Sequence, residues 1–523
     1  MLVLASSGCS RSAGTPETLP PRTVVTTDGE VDDYDSFLRL LLYSNDMEIQ
    51  AIVYSASQHH WAGDGSGNAL VPENRAVRPG LPAWQPQPEV SHRWIGTDWC
   101  QELINAYAQC YDNLKKHDTA YPAPDYLRSI VKMGNIRVEG DMAAPTEGSD
   151  CIRDLLLDDD PRPLYLQIWG GTNTVARALL SIEEQYKDTP EWEAVYRKVS
   201  DKAVLHIIQD QDGTYRTYVE PHWPEIRTVY NRLQFFGFAY LWNTAVPEPL
   251  RACLDGDWFR EHILDGHGPL AAEYMTLGSG YDLHDPDDHF GEPSALERPG
   301  AKKYDFISEG DSPSYFQLMD FGLRSLEHPD WGGVGGRYVQ DASRPAVWAD
   351  PQVRGFNPFG RPGPGGAPQE QPKVAFDRSG GDFNPHTGTV DPFYPQTRWV
   401  EVLQNDFAAR ADWCVKDYAS ANHAPVASVK GSLDRTAKPG EKVSLRGSAT
   451  DPDGDAVSLH WWQYREAGTS DAVLALDGAD TATVSFTIPS DALPGQTFHL
   501  ILEARDSGTP ALRHFQRVVV TVL

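Results

Sequence analysis

Long apolar stretches are missing from this 523-residue chain. No run reaches the roughly 18 residues that a membrane-spanning helix needs, so no transmembrane segment is expected. Cysteine is scarce: Cys9, Cys100, Cys110, Cys151, Cys253 and Cys414 are all there are, with no Cys-x-x-Cys and no Cys/His zinc spacing. With Cys9 set aside, the rest allow at most two disulfides and one free thiol. Basic residues are outnumbered, 45 Lys and Arg against 74 Asp and Glu, for a net charge of −29. A chain this acidic repels phosphate backbones, so no nucleic-acid partner is expected. It suits hard cations and neutral ligands instead.

Apolar residues make up 40% of the chain, enough to bury a core, and the length calls for two or three domains. The 15 Trp and 22 Tyr fill cores or stack on sugar rings. Met1-Leu-Val-Leu-Ala-Ser-Ser-Gly-Cys9 lacks a charged leader yet resembles the tail of a bacterial lipoprotein signal, with Cys9 as the lipidated residue. The expectation is a secreted, periplasmic or outer-membrane lipoprotein, with residues 1–20 as signal remnant and tether.

Thr23-Val-Val-Thr-Thr27 reads as a buried strand, Tyr34 to Ser44 as a packed helix and Ile49 to Tyr54 as a second strand. That is the βαβ unit of a parallel sheet. It recurs at Pro163–Trp169, Asn173–Ile182 and Ala203–Ile208. Residues 59–160 and 355–396 interrupt the rhythm as long insertions. From Val426 the pattern changes to short alternating strands separated by turn residues, an all-β sandwich. The boundaries expected are an α/β domain over 21–420 with a mainly parallel sheet and flanking helices, and an immunoglobulin-like sandwich over 424–523. The Asp451-Pro-Asp-Gly-Asp455 turn reads as turn chemistry or as a calcium loop.

The sharpest local signal is Thr27-Asp-Gly-Glu-Val-Asp-Asp-Tyr34, where Asp28, Asp32 and Asp33 sit between a strand and a helix. Ligands of parallel sheets bind at the carboxyl ends of strands, and clustered carboxylates there suit calcium or magnesium. Helix capping accounts for one or two of these acids but not readily for three.

This spacing resembles the opening of the nucleoside hydrolases: strand, Asp, three residues, Asp-Asp, apolar helix. The resemblance implies that Asp28 and Asp33 bind calcium, and that Asp32 helps hold the metal and acts as general base on a calcium-bound water. Thr26 stands where the family's first acid usually is. Trp169-Gly-Gly-Thr-Asn-Thr174 is similar to the family's Gly-Pro-Leu-Thr-Asn turn, which makes the Thr172 carbonyl a calcium ligand. Ser308-Glu-Gly-Asp-Ser-Pro-Ser314 is similar to its late His-Asp-Pro segment, with Asp311 as the last ligand and Gly310 in place of the His. Together with Trp331–Tyr338, Gln404–Cys414 and the β module, these segments resemble bacterial secreted proteins with a nucleoside-hydrolase-like domain, some labelled cellulose-binding.

The expected function is a calcium-dependent, inverting glycoside hydrolase acting on a sugar of plant or microbial polysaccharide. The alternatives are a carbohydrate-binding protein without catalysis and a nucleoside N-ribohydrolase. The candidate sugar contacts are Gln58, His59, Asn173, Gln209, Asp210, Asp212, His222, Trp223 and Glu309. Of these, Glu309, Asp210 and Asp212 are also candidate proton donors, with His222 a weaker one.

Overall fold

The β-branched run near the start becomes the hub of the molecule. In the computed structural model, which describes residues 19–72, 87–352 and 376–523, strand β1 (Arg22–Thr27) is buried along its whole length. It pairs in parallel with β2 (Glu48–Tyr54) on one side and with the later strand Leu164–Ile168 on the other. The remaining strands of this sheet are β3 (Val131–Met133), β4 (Leu164–Ile168), β5 (Ala203–Ile208), β6 (Arg227–Asn231), β7 (Val339–Asp341) and β8 (Arg344–Ala349). Their order is β3-β2-β1-β4-β5-β6-β8-β7, parallel throughout except for the antiparallel edge pair β7–β8. From β1 the chain winds outward through β2 and β3, then returns to β4 on the opposite flank of β1 and winds the other way. The β1–β4 gap is therefore the topological switch point, where α/β sheets open a ligand crevice at the strands' carboxyl ends.

Both faces of the sheet are covered, as β1 shows residue by residue. Val25 packs with the helix Val31–Leu42 and the helix Asp98–His117, whereas Val24 packs with the helices Glu147–Leu157 and Asn173–Tyr186. Every residue of the helix Val31–Leu42 is buried. Its apolar positions are close to those read from the sequence, but it starts three residues earlier, on the acidic signature itself.

Strands β9 (Asp382–Asn384) and β10 (Thr389–Asp391) form a hairpin. Next come β11 (Val426–Val429), β12 (Asp434–Ala437), β13 (Lys442–Thr450), β14 (Ser458–Gln463), β15 (Thr483–Thr487), β16 (Thr497–Arg505) and β17 (Arg513–Val522). They build two facing sheets, β11-β13-β15 and β12-β17-β16-β14, around a core centred on Trp461, Phe486 and Leu502. No described strand after Val426 pairs into the parallel sheet. The two parts nevertheless share a core: Tyr464, Ile501 and Phe515 of the sandwich join the cluster that holds Phe407 and Leu323. Asp382 accepts hydrogen bonds from Arg337 (2.7 Å), Arg398 (3.2 Å) and Tyr464 (2.7 Å) at this joint. What is described of the second insertion therefore braces the sandwich. Its residues 355–375 and the expected lipid anchor at Cys9 lie outside the described residues. The five described cysteines are free thiols.

Candidate metal and active site

The acidic signature lies at the switch point, and local chemistry separates its members. Gly29 sits at φ +89°, a left-handed turn that a side chain would strain, and sends the chain into the helix at once. Asp33 is fixed by that turn. It accepts the Asp28 N–H (3.2 Å), the Glu30 N–H (3.2 Å) and the Thr27 hydroxyl, while Glu30 caps the Asp33 N–H in return. Capping thus does explain Asp33 and Glu30. It does not explain Asp28, whose two carboxylate oxygens are buried with no hydrogen-bond partner. An orphaned buried carboxylate is costly unless a cation satisfies it.

Asp32 faces the same crevice. The Tyr240 hydroxyl donates to one oxygen (3.2 Å) and the Ser308 hydroxyl to the other (3.3 Å). Burial first, and then like charge, pushes both Asp28 and Asp32 up to about 7. Asp311, at the start of the short helix Ser312–Phe316, is buried and held well above the usual carboxylate range by burial and by Asp33, Asp32, Asp28 and Glu30. Thr172 precedes the helix Asn173–Tyr186; its hydroxyl is buried without a partner, and its carbonyl accepts only the ordinary helical Ala176 N–H (2.9 Å). Acids that raise one another's pKa and orphaned buried oxygens make up a donor set that fits a hard cation such as calcium.

The glycines of the matching turns have a steric reason. A Cβ on Gly170 would lie 2.7 Å from the Asp28 Cγ, and one on Gly171 would lie 2.5 Å from an Asp212 oxygen. Gly310, in the place of the expected His, is closed in the same way: its Cβ would meet an Asp32 oxygen at 2.5 Å.

Several expected sugar contacts have other roles. Glu309 is fully buried, ion-paired to Arg39 (2.9 Å), and accepts hydrogen bonds from Tyr274 (2.5 Å) and Ser312 (2.8 Å). That is a structural pair, with both carboxylate oxygens already engaged. Trp223 is a core residue, stacked on Tyr196 with ring centroids 5.0 Å apart. His222 pairs with Glu183 at 3.2 Å, ten residues along its helix from Asn173 and so roughly 15 Å from the crevice end. Asn173 is occupied on both sides, accepting from Ser55 (2.8 Å) and donating to the Asn135 carbonyl (2.7 Å). Asp212 accepts the Asn173 and Thr214 N–H groups (both 2.9 Å) and so anchors that helix start. Sequence patterns mark polar residues after strands; they do not show which are already satisfied.

Four expected contacts remain on the loops at the strand ends. Gln58 donates its N–H to the Gln211 carbonyl (2.9 Å), and the His59 N–H bonds Ser57 (2.8 Å). Gln209 has φ 60°. Asp210 accepts the Tyr215 and Arg216 N–H groups (3.3 Å each) and is pushed up to about 7 by burial and by Asp212. The sequence reading overlooked Glu30, which lay inside the quoted signature, and His60, Tyr240 and Ser308. Only folding brings the last three to the acids.

A doubly wound sheet with this acid cluster at its switch point is a nucleoside-hydrolase-like domain. The chain belongs to the family described as "Cellulose-binding Sde182, nucleoside hydrolase-like domain", whose model matches residues 22–338, more than half of its length. A second model, "Cellulose-binding protein Sde0182, C-terminal domain", matches residues 442–522. Among solved structures, the chain is similar to a nucleoside hydrolase-related hypothetical protein from Saccharophagus degradans that is associated with carbohydrate metabolism. The identity is 23% and the TM-score 0.66, over 96% of this chain and 100% of that one, a likeness of fold. A plant nucleoside hydrolase also matches, at 10% identity and TM-score 0.28 over 63% of this chain and 87% of that one, too low to carry an argument. No curated protein matches the sequence.

Proposed function

We propose that this protein acts on polysaccharide as a calcium-dependent glycoside hydrolase, with Asp32 as general base. The observation that carries the reading is Asp32 itself. It is buried beside the orphaned Asp28, fixed through both oxygens by Tyr240 and Ser308, and raised to about 7, the range a base needs at neutral pH. Asp28, Asp33, Asp311 and the Thr172 carbonyl would hold the calcium, which when bound supplies a Lewis acid that orients and acidifies water. Tyr240 and Ser308 orient the base, and the near-complete burial of Asp32 limits competing solvent. The family description points to cellulose as the class of ligand. Gly310, with no room for a side chain beside Asp32, leaves no place for the His with which some nucleoside hydrolases protonate a departing purine, and so disfavours nucleosides. Asp210 is the remaining acid of the sequence-predicted set with a raised pKa at a strand end.

One observation favours a second reading, carbohydrate binding without turnover. Glu309 and Asp212, two of the three expected proton donors, are locked in structural bonds. The test is a screen of cello-oligosaccharides, other glycans and nucleosides with wild type and Asp32→Asn, with and without chelator. Glycan turnover that falls 10²–10⁴-fold in Asp32→Asn and stops on chelation is expected. Glycan binding with no turnover supports the second reading, and turnover of nucleosides alone refutes both.

A further inference from the structure

Beside the acids lies a nitrogen donor that the calcium reading does not use. His60 follows β2 and is completely buried. Its Nε2 lies 3.0 Å from Asp285, which Arg93 grips through two hydrogen bonds of 2.9 and 2.7 Å. A carboxylate clamped by a guanidinium can only accept, so the Nε2 position carries the imidazole proton. The neutral ring then has its bare lone pair on Nδ1. That atom has no hydrogen-bond partner and lies 4.0 Å from an Asp28 oxygen, itself orphaned.

A lone pair turned toward a carboxylate in a buried site is repulsive unless a cation stands between them. Glu30 supplies a third donor: ligand atoms of Asp28, Glu30 and His60 all lie within 4.8 Å of one another. The carboxylate–imidazole–metal relay is a recurrent way to fix a ligand's tautomer, and here Asp285 occupies the outer position. One nitrogen and two carboxylates, with coordination positions left open, suit a borderline divalent ion of the zinc or cobalt type better than calcium, which prefers oxygen alone.

We propose that Asp28, Glu30 and His60 form a second divalent-metal site, of mixed nitrogen and oxygen donors, that shares Asp28 with the calcium centre. Asp28 has two free oxygens and can bridge, one to each ion. The inference rests on the calcium reading for its neighbour but not on any turnover.

The test uses the full chain, stripped of metal, with no substrate. Cobalt(II) is titrated in excess calcium while visible d–d absorption and bound metal per chain are read. One equivalent of cobalt with ligand-field bands is expected. His60→Gln should abolish the bands, and Asp285→Asn, which alters only the outer partner, should weaken cobalt 10–100-fold. Both variants should keep the calcium-induced thermal shift of wild type, which also shows that they fold. Wild type that takes cobalt only when calcium is absent would mean one shared ion and overturn the proposal. So would His60→Gln and Asp285→Asn chains that bind cobalt like wild type. Absence of glycan turnover with an intact cobalt signal would instead refute the hydrolase reading and leave this site standing.

Discussion

Glu309 offers a sharp separation between a structural and a catalytic carboxylate. It and Arg39 are both fully buried, 2.9 Å apart, and each is further bonded: Arg39 to the Leu403 carbonyl (3.0 Å) and Gln404 (2.7 Å), Glu309 to Tyr274 and Ser312. Removing one partner of a buried pair leaves the other uncompensated and costs about 3–5 kcal/mol. Glu309→Gln keeps an acceptor for one of the hydroxyls, so its loss should fall near 3 kcal/mol. Glu309→Ala, which also strands Tyr274 and Ser312, should fall near 5 kcal/mol, with about 1–3 kcal/mol for each hydroxyl left unpaired setting the difference. The apolar replacement Arg39→Met with Glu309→Leu should recover most of it, since well-packed substitutes for a buried pair are often neutral. Urea denaturation followed by tryptophan fluorescence measures the stability, and glycan turnover is assayed well below the transition. The reasoning is refuted if Glu309→Gln changes stability by less than about 1 kcal/mol yet lowers turnover by 10² or more, the signature of a general acid.

The acids also make stability depend on pH. Asp28 and Asp32 rise from 3.8 to about 7 in the folded chain, so the folded state holds their protons more tightly than the unfolded one. Without calcium, stability should therefore fall as pH rises from about 4 to about 7, by up to roughly 4 kcal/mol for one such group, and saturating calcium should flatten the slope. Melts in chelator that rise across this window would contradict it. Gly310→Ala places a Cβ 2.5 Å from an Asp32 oxygen and should displace the base, lowering turnover tenfold or more with about 1–3 kcal/mol lost; unchanged kinetics would show that Asp32 has room to move. Trp223→Ala should cost about 3–5 kcal/mol by emptying a packed core position, yet leave cellulose binding within twofold of wild type in a pull-down assay. Selective loss of binding would return Trp223 to the site.

The unbroken β-branched run of β1 and the apolar spacing of the helix after it were enough to predict a parallel sheet, because burial on two faces leaves a continuous run of such residues. The sandwich was equally legible from its period-two strands; only the short β12, Asp434–Ala437, escaped. Strands β3, β6, β7 and β8 were not read: β3 and β7 are three-residue elements, β6 is a short Arg-Thr-Val-Tyr-Asn run and β8 carries Pro345, so sheet pairing and not local propensity fixes their conformation. The sequence also carried Asp28, Asp32 and Asp33 in one local signature, since a strand end at Thr27 and a helix start at Val31 are set by the chain itself. Which of those acids is free was decided by tertiary structure. Asp33 is fixed by its own turn, whereas Asp28 keeps both oxygens without a partner, against a Gly170 over 140 residues away that has no room for a side chain. Glu309, Asp212, Asn173 and Trp223 carry the chemistry of contacts in the sequence, but the fold spends them on Arg39, a helix start, a loop and a core. His60 and Tyr240 read as unremarkable loop residues, and Ser308 only as the start of the segment that carries Asp311, until packing sets them around the acids. Residue type determines what a group is able to bond, and burial together with the partners already in place determines whether that capacity is left for a ligand.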